Sequence, residues 1–373
     1  MFTKITIGAL LFIQILFFSA KKDSPEVMEY SFYVGTYTQE DSEGIYRYLL
    51  QTDGTLKKVG LAAKDDNPSF LTKSPDGRYL LAVNELGNDA GEGGAVKSYA
   101  IEGDKLTLID EKPSAGSYPC FVSVDEAGHV LTANYGSGTV GLLKLSSSGS
   151  LTGPSDILKH TGQGTTSRQK GPHAHSAWFA PNGDAIITVD LGTNELWFSH
   201  LDDSQDKLLP MNPPKLAMPA GAGPRHMAFH PSKPWAYVIN ELSSTVTQLR
   251  KGSSGQYEIV NTVSTLPDGF SGDNFCADIH MSADGKFLYA SNRGHNSIAI
   301  YQVGKSDGSL KLVGHEATRG EWPRNFSLSP DGAFLLVANQ NSNNIVSFKR
   351  DAKKGTLTLV DEIEAPSPVC LLF

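Results

Sequence analysis

The 373-residue chain is 39% apolar, sets 40 acidic against 32 basic side chains for a net charge of −8, and scatters 37 glycines and 20 prolines along its length. Such a balance excludes a disordered chain and disfavours nucleic acid or an anionic membrane surface as partner. Three widely separated cysteines, Cys120, Cys276 and Cys370, are too few for a disulfide framework or a zinc site and read as small core residues.

The first twenty residues differ in kind from the rest. Lys4 precedes an apolar run from Ile5 to Phe18, which gives way to Ser19-Ala20 and Lys21-Lys22. One early positive charge, an apolar stretch and small residues after it describe a secretory signal over residues 1–22, with an uncleaved N-terminal anchor as the alternative. Export to the periplasm or medium is therefore expected, with a single folded domain over residues 28–373.

Past this leader, Phe32 to Thr38 reads as a strand with no preceding partner. A pattern then recurs. Asn67-Pro68-Ser69-Phe70 leads into the turn Ser74-Pro75-Asp76-Gly77 and a second strand ending at Asn84-Glu85. Tyr118-Pro119-Cys120-Phe121 leads to Asn134-Tyr135, and His175 to Phe179 leads to Asp190-Leu191. Gly223-Pro224-Arg225-His226 turns near Lys233 and returns as Ala236 to Ile239, then Asn240-Glu241, so Arg225 and Glu241 are expected at one end of the hairpin. Phe275 to Asp278 leads to Asn292-Arg293, Trp322 to Asn325 leads to Asn339-Gln340, and Ser367 to Cys370 starts a unit that has no second strand. The slot of Pro224 thus recurs at positions 68, 119, 174, 224, 276, 323 and 368, a repeat spacing of 45 to 55 residues. Four short strands per repeat predict an all-β, seven-bladed β-propeller, closed by joining the C-terminal first strand to the N-terminal second strand in one blade.

Within this frame, the polar residues sort into two kinds. Asn84, Asn134, Asp190, Asn240, Asn292 and Asn339 end every complete second strand, and a residue that repeats so regularly is most simply an Asx cap. Asn240 and Asn292 are also candidate substrate contacts because of what they adjoin. The next position varies (Glu85, Tyr135, Leu191, Glu241, Arg293, Gln340), as does its partner on the first strand (Ser69, Cys120, His175, Arg225, Ala277, Arg324, Val369). Variation inside a constant frame marks the end where blades converge on the central channel. Three arginines there, Arg225, Arg293 and Arg324, suit a carboxylate or phosphate, although pairing with Glu241 or Glu85 alone would also account for them. Counting back from the turn puts His175 at the mouth and His173 two residues further out. His-x-His lacks a convincing third metal ligand, His226 and His230 read as packing residues, and Ser176 lacks a nucleophile frame. The loop Gly87 to Gly94 reads as solvent-exposed, and the polar insertion Gly162 to Lys170 is placed to overhang the mouth.

Four motifs carry a resemblance: Tyr33 to Thr38, Gly171-Pro172-His173-Ala174-His175, Gly223-Pro224-Arg225-His226 and Ser291-Asn292-Arg293-Gly294. Together they resemble the seven-bladed 6-phosphogluconolactonase family, related to the fungal carboxy-cis,cis-muconate lactonizing enzymes, over residues 30 to 373. The resemblance implies an active site of one histidine, two arginines and a glutamate at His175, Arg225, Glu241 and Arg293; beside it, His173, Arg324, Asn240, Asn292 and Glu85 are candidate substrate contacts. The expected chemistry is hydrolysis of a small anionic sugar lactone. Glu241 or His175 would activate water and the arginines would hold the oxyanion, with no metal or cofactor. The alternatives are a non-catalytic propeller that binds an anionic sugar or a protein, and a muconate-type cycloisomerase. The leader sets this chain apart from cytosolic phosphogluconolactonases.

Overall fold

Short runs of alternating or fully apolar residues, each ended by a tight turn, leave the chain little choice but to pair each strand with the next. The turns are built locally. In Ser74-Pro75-Asp76-Gly77 the Ser74 hydroxyl donates to Asp76 (2.7 Å) and accepts from the Tyr79 amide (3.0 Å), while Gly77 takes the left-handed φ of +70° that closes the turn. Ser282 to Gly285 and Ser329 to Gly332 repeat the device.

The computed structural model describes residues 1, 29–39, 41–88, 92–181, 183 and 185–373. Nearly all of the predicted leader, and residues 89–91 of the Gly87–Gly94 loop, lie outside the described residues. Seven four-stranded antiparallel sheets form a ring, with no helix among the described residues. Blade 4 is typical: Pro224–Phe229 lines the axis, followed outward by Trp235–Asn240, Thr245–Lys251 and Tyr257–Ser264. Blade 7 is assembled as the sequence predicts, the C-terminal Pro368–Leu372 pairing with the N-terminal Tyr30–Thr36. Apolar clusters fill the spaces between blades; one of them joins Phe32, Tyr48 and Leu371 of blade 7 to Phe334 and Leu336 of blade 6. Tyr30 and Phe373 meet edge to face, 6.5 Å between ring centroids, at the opposite end of the blade from the mouth. The cysteines are buried and unbridged, as expected of core residues.

In one respect the pairing departs from the simple hairpin. Pro224 lies opposite Asn240 and His226 opposite Ile239, so Arg225 is an extra residue in a β-bulge and does not face Glu241 across the ladder. The same irregularity occurs at Cys120, His175, Arg324 and Val369, and between Cys276 and Ile279. A bulge re-aims the extra side chain, so the first-strand column that varies in sequence is also the column set apart by backbone geometry.

The constant amides have a different task. Each reaches the residue that follows the outer strand of the preceding blade: Asn84 to Asp65, Asn134 to Ser114, Asn292 to Thr265 and Asn339 to Thr318, while Asp190 binds His160 (2.7 Å). Asn240 instead holds Thr245 and Thr247, both at 2.9 Å. The expected Asx caps are therefore pegs that fasten a blade to the incoming connection. Asn240 and Asn292 are fully buried, with their amide nitrogens held by Thr245 and Thr247 and by Thr265 and Ser297. Because an unmade buried hydrogen bond costs about 1–3 kcal/mol, Asn292→Ala and Asn339→Ala are each expected to lower unfolding free energy by roughly that amount in denaturant titrations.

Candidate functional site

At the mouth of the axial channel the two variable columns form two tiers of a ring. Glu241 is its centre of charge. Its Oε2 lies 2.8 Å from Arg293 Nη2 and 3.2 Å from Arg225 Nε, and its Oε1 lies 3.4 Å from Arg168 Nη2. The guanidiniums are also fixed from behind: Arg225 donates to the Ala277 carbonyl, and Arg293 donates to the carbonyls of Phe275 (3.1 Å) and Cys276 (3.0 Å). Trp322, in a left-handed conformation at φ +63°, sets its ring 5.3 Å from the Arg293 guanidinium. Opposite, Arg324 lies over the Tyr37 ring at 5.2 Å and 3.8 Å from Glu85, which accepts from the Tyr37 hydroxyl at 2.8 Å.

His175 occupies the bulge of blade 3. Its Nδ1 is 3.6 Å from Cys120 Sγ, and its ring meets Tyr135 edge-on at 5.5 Å and His226 at 5.4 Å. His173 sits higher and half-buried, stacked on Tyr135 at 4.5 Å with Nδ1 2.9 Å from the Tyr135 carbonyl oxygen. Counting from the turn thus identifies the inner histidine correctly. Phe70, Phe121, Trp178 and His226 pack together next to His175.

Burial and charge divide the labour among these groups. Arg225, Glu241, Arg293 and His175 are between 2 and 5% exposed. Burial by itself would raise the Glu241 carboxyl, but Arg293, Arg225 and Arg168 overcome it and hold the group below its ordinary value, so it is an anion at neutral pH. Burial pushes His175 well below 6.5, helped by the charges of Arg225 and Arg324, so its imidazole is neutral. Burial likewise lowers Arg225, to about 10, which leaves it charged. The site is a fixed cluster of cations around one carboxylate, with a neutral imidazole alongside. Among the described residues no group of three or more potential ligands is placed to hold a metal ion.

The structure brings His175, Arg225, Glu241, Arg293, Arg324, Glu85 and His173 to one mouth. Arg168 escaped the sequence reading, although the Gly162–Lys170 insertion that carries it was expected to overhang this end; it also reaches the Tyr135 hydroxyl at 3.2 Å. Gln169 anchors the insertion, being fully buried and donating to the Leu191 carbonyl at 2.8 Å. Ser176 is structural: its hydroxyl donates to the Arg225 carbonyl (2.7 Å) and accepts from Trp178 Nε1 (2.8 Å). His226 is buried among channel rings, whereas His230 lies half-exposed beside Trp235 and is not a core residue. A groove of about 1170 Å³ runs between blades 1 and 2 past Glu111, Lys112 and Ile157 and touches none of this site.

The ring of blades and the guanidiniums gathered about Glu241 define a seven-bladed propeller with a cationic axial mouth. Residues 31–373 match the family model described as lactonase, 7-bladed beta-propeller. The chain is 39% identical over 303 residues to a 6-phosphogluconolactonase of Bacillus subtilis (strain 168), covering 80% of this chain and 84% of that one. Among solved structures, the periplasmic gluconolactonase of Pseudomonas aeruginosa superposes with a TM-score of 0.87 at 32% identity, covering 92% of this chain and 98% of that one. A putative 6-phosphogluconolactonase from Bacteroides fragilis NCTC 9343 gives 0.86 at 34%, covering 92% and 97%. The chain belongs to the seven-bladed β-propeller lactonase family.

Removing the central carboxylate leaves three guanidiniums without their counter-charge. Glu241→Gln is expected to cost on the order of 3–5 kcal/mol at pH 7, as for other broken buried ion pairs. Since the folded-state group titrates below its ordinary value of 4.5, that stabilisation is complete above pH 4.5 and is lost as pH falls through the folded value. Melting curves of parent and variant should therefore converge in acid; a gap that stays constant down to the acid limit of folding contradicts this account.

Proposed function

We propose that the chain hydrolyses a sugar-acid lactone at the channel mouth, with His175 as general base and Arg225 and Arg293 as oxyanion stabilisers. The observation that carries this reading is the pairing of a neutral, buried imidazole with two guanidiniums whose positions are fixed by Glu241 and by backbone carbonyls. Hydrolysis of a cyclic ester needs a proton taken from attacking water, positive charge for the carbonyl oxygen and a proton returned to the ring oxygen. His175 supplies the first and last in turn. Glu241 is the poorer base, because three cations hold its proton affinity down, and it acts instead to orient Arg225 and Arg293. Arg324, Glu85 and His173 line the remaining rim and meet the hydroxyl or acidic groups of the substrate.

The names of the relatives support this substrate class: two are called 6-phosphogluconolactonases and one a periplasmic gluconolactonase. Export of this chain fits the last of these and the leader-like sequence of residues 1–22.

Hydrolysis of D-glucono-1,5-lactone and of its 6-phosphate, corrected for spontaneous opening, tests the reading. Arg225→Ala is expected to lower kcat by about 10²-fold, the usual effect of losing one oxyanion donor, and His175→Gln by about 10²–10⁴-fold. Turnover by Arg225→Ala and Glu241→Gln equal to that of the parent removes the catalytic assignment. The pH profile gives a second check. Because burial lowers His175, the base form persists below pH 6.5, and the acid limb of kcat/KM should fall below that value; a limb at or above 6.5 speaks against His175.

A further inference from the structure

Directly beneath the mouth lies a buried polar cluster with no part in the scheme above. His226 Nδ1 is 2.9 Å from Asp278 Oδ1, and its Nε2 is 3.4 Å from Arg225 Nη1. Asp278 also receives the Ile279 amide (3.0 Å), the Asn325 side-chain amide and His280 Nε2 (2.9 Å). The His226 ring is enclosed by Phe70, Phe121, Trp178 and His175 and is 3% exposed.

A guanidinium only donates hydrogen bonds, so the His226 nitrogen facing Arg225 must accept. The other ring nitrogen then carries the proton and gives it to Asp278, a carboxylate already placed as an acceptor by three further donors. We infer that Asp278 and His226 form a positioning pair, in which Asp278 locks His226 as the neutral Nδ1–H tautomer and the bare Nε2 steers the Arg225 guanidinium toward the reacting oxygen. The protonation directions agree with this. Burial and the Arg225 charge push His226 down to about 4, so it is neutral near pH 7. Asp278 lies far below its ordinary range; burial opposes this, but His280 and His226 outweigh it.

The pair therefore acts through Arg225 and does not touch substrate. In Asp278→Asn the amide is able to donate to His226 Nδ1, which turns the ring to its Nε2–H form and sets one donor against another at Arg225. His226→Gln keeps an amide oxygen able to accept from that arginine. The kinetic part of the test rests on the lactonase reading; the spectroscopic part does not.

Long-range ¹H–¹⁵N correlation spectra of histidine-labelled parent at pH 7, with the His226 signals assigned by their loss in His226→Gln, should show a neutral ring protonated at Nδ1. An Nε2–H or doubly protonated ring overturns the inference, whether or not any lactone is hydrolysed. In the kinetic arm, Asp278→Asn is expected to lower kcat by about 10–100-fold, as when outer partners that fix an imidazole are changed, with KM nearly unchanged and His226→Gln closer to the parent. Parent-like kcat in folded Asp278→Asn also overturns it. Should that variant not fold, the parent spectrum decides. A parent inactive on both lactones sinks the proposed reaction and leaves the tautomer to be judged by the spectrum.

Discussion

One extra residue near the mouth end of the inner strands is the constraint from which the rest of this site follows. A regular antiparallel ladder would point successive side chains alternately to either face of the blade. The bulge breaks that alternation at Cys120, His175, Arg225, Arg324 and Val369. Groups from different blades can thereby meet over the axis while the apolar residues below them stay in register with the inter-blade core. The Asn and Asp pegs at the ends of the adjoining second strands fasten each blade to the connection arriving from its neighbour. Channel-facing and framework residues occupy adjacent positions, as at Asn134-Tyr135 and Asn292-Arg293, because one faces the connection and the next faces the channel.

The mouth also illustrates how a strongly charged site is kept in a largely buried place. Bringing Arg225, Arg293 and Arg168 together would be prohibitive without Glu241 between them, and burying Glu241 would neutralise it without the arginines. Each charge makes the others tolerable. What remains after this mutual cancellation is a cationic excess, which adds to the burial that keeps His175 neutral.

Much of this was legible from the residues alone. Blade number, ring closure and the two variable columns came from positions counted between turns, and that count survives the bulges because nearly every blade carries the same one. Arg225 and Glu241 were expected at one end and are found there, although not opposite each other, since hairpin counting assumes a ladder without insertions. Arg168 was missed because it belongs to an insertion that no other blade repeats, so no column includes it. The true partners of Asn134 and Asn292 come from the end of the preceding blade, 20 and 27 residues away, and a local turn was the nearer explanation. Asp278 sits one place past its column, where neighbouring blades carry His226 and Asn325, and only coordinates bring those three together.

Closure of the ring by one strand from each terminus has a geometric corollary. Both Tyr30 and Phe373 leave blade 7 at the end opposite the mouth, touching one another, while Thr36 and Pro368 stand at the rim. A segment fused at either end of the blade would thus start from the face away from the opening.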